Sequence, residues 1–180
     1  MRTAPSNTDI IVNVGGYYIG WLACVLGAAW DQWLTGAAIG LFIFAAHLLR
    51  SVDRGGEVRL ALVVLAVGFS VDSAQTVAGV LRFDTGQPVA WLAPLWIGVM
   101  WLLFATTLRV AFGWLEGRPL LAALTGAVGG PAAFYAGERL GAVAFHPTAG
   151  LSLSVLAIVW AALMPLLMRL ASTPADGSTT

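Results

Sequence analysis

Apolar residues along this chain run in long unbroken stretches, divided by short polar or turn-forming breaks. A helix that crosses a membrane needs about 20 mostly apolar residues. Stretches of that kind lie at 10–29, 33–49, 58–81, 89–112, 120–140 and 151–171. The breaks at 31–32, 51–57, 82–88, 113–119 and 141–150 carry Gly, Pro, Asp or Arg. Membrane-crossing strands would instead alternate in character over about ten residues. The pattern therefore predicts an all-α, polytopic membrane protein with six transmembrane helices in one bundle. A single transmembrane domain is expected over 1–171, followed by a small, polar, flexible tail at 172–180. Gly27-Ala28-Ala29 resembles a signal-peptide cleavage site. The stretch before it is long for a signal peptide and holds Asn13, so it reads as a span.

Composition strengthens this reading. Of the 180 residues, 59% are apolar and 10% charged, against about 45–50% and about 25% in soluble domains. Mean hydropathy is +0.85. A water-soluble domain of this size cannot bury so much apolar surface. Cys24 stands alone, which excludes a disulfide scaffold. Lys is absent, while Ala, Gly, Leu and Trp abound, a composition associated with GC-rich bacterial genomes. Net charge is zero, so no basic face is on offer to nucleic acid. Arg placement sets an expected orientation. With six spans, Arg2, Arg50, Arg54, Arg59, Arg109, Arg118 and Arg169 share one side, and Arg82 and Arg139 the other. Positive charge favours the cytoplasm, which puts both chain ends there and the protein in a bacterial inner membrane.

Within the spans, Asp72 is the first candidate for chemistry. It lies 13 residues beyond Arg59 and 10 before Arg82, or about 20 Å and about 15 Å along a helix. That count puts it near mid-membrane, where a carboxylate costs at least about 2.5–3.5 kcal/mol to insert. Gly68, Asp72, Gln75, Thr76 and Gly79 follow the three-and-four spacing of one helix face. Such a face should look into the bundle, either as a site or as a structural tie to an Arg or Tyr. Gly129-Gly130-Pro131 falls at a similar depth, about 18 Å beyond Pro119. Pro131 removes a helix hydrogen bond, and a broken helix at the midplane marks many transporter sites. A broken fifth helix is therefore expected. Tyr135 could add a hydroxyl, and Glu138 and Arg139 follow at the outer end. Arg139 is a candidate partner for Asp31 or Asp72. On the inner side Asn13, His47 and Arg109 are polar candidates for a gate or a phosphate pocket, with snorkelling the simpler account of Arg109. Four glycine pairs at four-residue spacing (16/20, 36/40, 126/130 and 137/141) should let helices approach closely, within the bundle or in a homodimer.

Motifs of hydrolytic and metal enzymes are missing. There is no His-Glu-x-x-His, no Gly-x-Ser-x-Gly, no Walker A loop and no pair of cysteines. No metal or cofactor is expected, and catalysis is the least favoured reading.

The stretch 126–145, GAVGGPAAFYAGERLGAVAF, resembles the signature of a bacterial inner-membrane family, domain of unknown function 2878. Asn13 with Gly20-Trp21, Val71-Asp72-Ser73, Pro94-Leu95-Trp96 and Trp160 are also similar to that family. The resemblance implies an inner-membrane bundle and brings no activity with it, beyond a loose association with genes of fatty-acyl modification. Two readings of function follow. One is a transporter, or a membrane-embedded binding subunit, for a small or lipid-like solute held around Asp72. The other is an accessory or scaffold protein of envelope lipid or fatty-acyl metabolism, working through a membrane protein partner. An intramembrane enzyme acting on acyl chains comes third.

Overall fold

The computed structural model describes residues 5–173. Among them are six α-helices: α1 (Asn7–Ala29), α2 (Trp33–Arg50), α3 (Arg54–Val77), α4 (Leu95–Leu108), α5 (Pro119–Arg139) and α6 (Ala149–Ser172). The chain is an all-α polytopic membrane protein. All but α4 are long and apolar enough to cross a membrane. Helix α6 runs to Ser172, so the expected tail begins at least one residue later than 172. The rest of that tail, and Arg2, lie outside the described residues.

Local chemistry sets several helix starts. The Ser6 hydroxyl accepts from the Asp9 amide at 3.2 Å, and the Asp9 carboxylate accepts from the Ser6 amide at 3.0 Å. This reciprocal pair satisfies two amides that would otherwise lack helix partners. Asp53 accepts from the Gly56 amide at 2.8 Å and Thr148 from the Leu151 amide at 3.3 Å. Pro119 opens α5, where its missing N–H costs nothing.

The helices pack as two units. Helices α1 to α4 form one, with α4 central and in contact with the other three. Helices α5 and α6 form a close hairpin beside it. Helix α4 is buried nearly all round, from Trp96 to Leu108. Two elements differ from the sequence expectation. The fourth span is 14 residues, Leu95–Leu108, and not 89–112. It is about 21 Å long, against a hydrocarbon core of about 30 Å. Pro94 precedes it, and a residue before proline avoids the helical region. The apolar residues 89–93 therefore join a fold-back segment over the end of α4. The Ala93 amide donates to Ser73 Oγ at 3.1 Å, and Trp96 Nε1 donates to the Thr85 carbonyl at 3.2 Å. Phe83 and Ala93 are buried, so protein encloses irregular backbone there. The third span is shifted by about one turn, ending at Val77 rather than 81. Gly79, at φ +69°, turns the chain out of the helix.

At the chain-end face, Glu57 Oε1 accepts from Arg109 Nη1 at 2.9 Å, and Glu57 Oε2 lies 3.4 Å from His47 Nε2. Arg109 Nε donates to the Ala171 carbonyl at 2.9 Å. Ends of α2, α3, α4 and α6 are thus tied together on one side. At the distal face, strands β1 (Leu81–Arg82) and β2 (Ala144–Phe145) pair antiparallel. Ser152 Oγ, fully buried, donates to the Val80 carbonyl at 2.9 Å.

Candidate functional site

The two helical units meet on a stack of rings. Trp101 of α4 and Trp160 of α6 lie face to face, with centroids 5.2 Å apart and planes 13° apart. The outer face of Trp101 rests on Gly68 of α3, and that of Trp160 on Gly130 of α5. Even a methyl group at either glycine would overlap the indole beside it. Four helices are therefore keyed together by two glycines and two indoles. Phe104 closes one edge, near-perpendicular to both rings at 5.8 Å and 5.5 Å.

Stacked in this way, each indole has its faces occupied and offers only its edge. Trp101 Nε1 donates to Asp72 Oδ2 at 2.7 Å. Gln75 Nε2 donates to Asp72 Oδ1 at 3.2 Å. Asp72 is 1% exposed, so both carboxylate oxygens are held by neutral donors inside the bundle. The Thr76 hydroxyl donates to the Asp72 carbonyl at 2.9 Å, one turn back along the helix. Trp160 Nε1 is buried and has no partner among the described residues, nor has Gln75 Oε1.

Asp72, Trp101 and Trp160 line a chamber of about 50 Å³. Phe83 and Trp96 roof it on the distal side, and Ala133 and Phe134 of α5 close it laterally. A larger cleft of about 410 Å³ lies between α1 and α5 and shares Tyr17, Trp21, Phe104, Ala133 and Trp160 with the chamber. Its rim holds Tyr18 and Gly129, both exposed. The cleft thus runs from the side of the bundle, where lipid would lie, to the wall of the Asp72 chamber.

Several expectations need correcting. Asp72 lies nearer the distal end of α3 than its middle. It lies five residues before the end of α3, about 7.5 Å from the distal end and one turn beyond the indole stack. Hydropathy carries the span on to Leu81, whereas the chain leaves the helix after Val77. The fifth helix is not broken, since α5 runs unbroken through Pro131. A proline removes one N–H and can bend a helix without ending it. The GGP segment meets the site through Gly130, as a flat seat for Trp160, and not through opened backbone. Gly129 lines the cleft. Tyr135 is 47% exposed and Arg139 exposed, while Glu138 is half-buried. None of these three lines either cavity. Arg109 is not the partner of Asp72, being engaged with Glu57 and Ala171.

The inner-side candidates divide. Asn13 Nδ2 donates to the Thr106 carbonyl and hydroxyl at 3.1 Å and 3.2 Å, pinning α1 to α4. Asn13 and His47 line a third cavity, of about 390 Å³. Sequence reasoning missed Glu57, which sits in a charged break. Its one available signal was an acid among the arginines of that side. It also missed Trp101 and Trp160 as a pair, although both are indoles placed too deep for the interface.

Residues 10–166 match the family described as Protein of unknown function (DUF2878). That is most of the chain, so the protein belongs to this family. No curated protein and no solved structure matches it.

Proposed function

We propose that this family member is a membrane-embedded solute-binding protein or transporter, set in a bacterial inner membrane with both chain ends cytoplasmic. The ligand would be small or lipid-like. It would reach the Asp72 chamber sideways, through the cleft between α1 and α5. One observation carries the reading: a buried carboxylate, held by neutral donors, lines a chamber that shares a wall with a cleft on the bundle's lateral surface. An intramembrane carboxylate is costly and tends to line substrate or ion pathways. A cation would neutralise such a carboxylate, and here its partners are the neutral donors Trp101 and Gln75.

Native mass spectrometry of protein released from its own membrane tests this. A retained small molecule, lost on Ala133→Phe, is the expected result, because Ala133 stands where chamber and cleft meet. Protein that carries nothing, or that carries the same adduct after Ala133→Phe, would remove the reading.

A further inference from the structure

The chemistry of the walls narrows the ligand, on the premise that the chamber and cleft are the binding site. Asp72 is the acidic residue there, and among the described residues no Arg or His lines either cavity. Trp101 and Gln75 orient the carboxylate without neutralising it. An anionic ligand would meet an unscreened like charge in a low-dielectric setting. With a neutral ligand the carboxylate would be compensated only by taking up a proton. A cation would compensate it. The rest of the lining suits a soft, weakly hydrated cation, because Tyr17, Trp21 and Phe134 bring aromatic rings to the space beside Asp72. Aromatic rings attract cations through their negative faces, most strongly when the charge is desolvated. Trp101 and Trp160 do not serve in that way, because their faces are taken by each other and by Gly68 and Gly130.

The indole edges add a second requirement. Trp101 spends its N–H on Asp72. The N–H of Trp160, a residue 9% exposed, lacks an acceptor among the described residues, and Trp160 lines both cavities. A buried donor without a partner is costly, and a ligand acceptor would satisfy it.

We propose that the site binds an organic cation of the quaternary ammonium class that carries a hydrogen-bond acceptor close to its charge. The charged group sits where the chamber meets the cleft, beside Ala133, Tyr17 and Trp21, and faces Asp72 across the junction. The acceptor takes the Trp160 N–H, and any apolar tail lies in the cleft toward lipid. A metal ion is a poor fit, since among the described residues Asp72 is the one carboxylate lining the chamber and the rest of the lining is largely apolar.

The test uses two probes that differ in one atom: acetylcholine, and its neutral isostere 3,3-dimethylbutyl acetate. Binding of each to the full chain in nanodiscs is measured by calorimetry and by tryptophan fluorescence. Acetylcholine is expected to bind at least about tenfold more tightly than the isostere. In Asp72→Asn that gap should collapse. In Trp160→Phe both probes should weaken alike, because both carry the ester acceptor. If Asp72→Asn does not fold, the comparison on the wild-type chain decides alone. Equal binding of the two probes, with both lost in Ala133→Phe, would overturn the cation preference and leave the chamber as the binding site. Failure of both probes, in protein that still retains a native solute sensitive to Ala133→Phe, would do the same. Failure of both in protein that retains nothing would remove the site as well.

Discussion

Gly130→Ala is the smallest change that should break this bundle, and Gly129→Ala, one position away, should hardly be felt. The added methyl at Gly130 would overlap the ring of Trp160. That ring cannot retreat, because Trp101 lies 5.2 Å behind it and Gly68 behind Trp101. Either α5 moves away from α6 or the indole pair separates. Overpacking of this kind costs about 1–3 kcal/mol, and a lost aromatic stack adds about 0.5–1.5 kcal/mol. Gly130→Ala should therefore destabilise by about 2–4 kcal/mol. At Gly129 a methyl would meet nothing within 4 Å, so the change should stay within about 0.5 kcal/mol. Unfolding of both variants in mixed micelles, followed by tryptophan fluorescence, measures the difference. The same stack predicts coupling across the molecule. Gly68→Ala pushes on the opposite face of the same pair, so the double variant should depart from additivity by more than about 0.5 kcal/mol. Equal stability of Gly129→Ala and Gly130→Ala would refute the stack as the joint between the two units.

Trp101→Phe keeps a ring over Gly68 but removes the 2.7 Å bond to Asp72. It should cost about 1.5–3 kcal/mol, the range for a hydrogen bond to a charged group, read by the same unfolding assay. Glu57→Gln should cost about 1–3 kcal/mol, since it leaves Arg109, 10% exposed, without its anion. Adding Arg109→Met to Glu57→Gln should restore part of that loss, and a further loss would count against the ion pair. Alkaline phosphatase fused after the last residue should be inactive, and fused within 84–88 it should be active. The reverse pattern would invert the topology drawn from the arginines.

The sequence by itself determined the solvent and the count of helices. Long apolar runs can only be satisfied in lipid as helices, because every backbone N–H and C=O must be paired within the segment. The start of α5 was legible too, since Pro119 acts locally. The burial of Asp72 and Gln75 could be read from spacing, because a carboxylate facing lipid is prohibitive whatever the fold. What hydropathy could not tell is where an apolar residue sits once inside the bundle. Residues 89–93 are as apolar as a helix, and they fold back over α4 because Pro94 blocks the helix and Ser73 waits for the Ala93 amide. Nor could sequence spacing reveal that Gly68 and Gly130 seat two indoles from two other helices, for such a contact depends on how the helices are docked and not on any one of them. The partners of Asp72 were decided in the same way. Arg139 and Arg109 were the charged candidates, but docking left Arg139 exposed, brought Arg109 to Glu57 and left the carboxylate to an indole N–H, because hydrogen bonding depends on ångström-scale placement that only the packed bundle supplies.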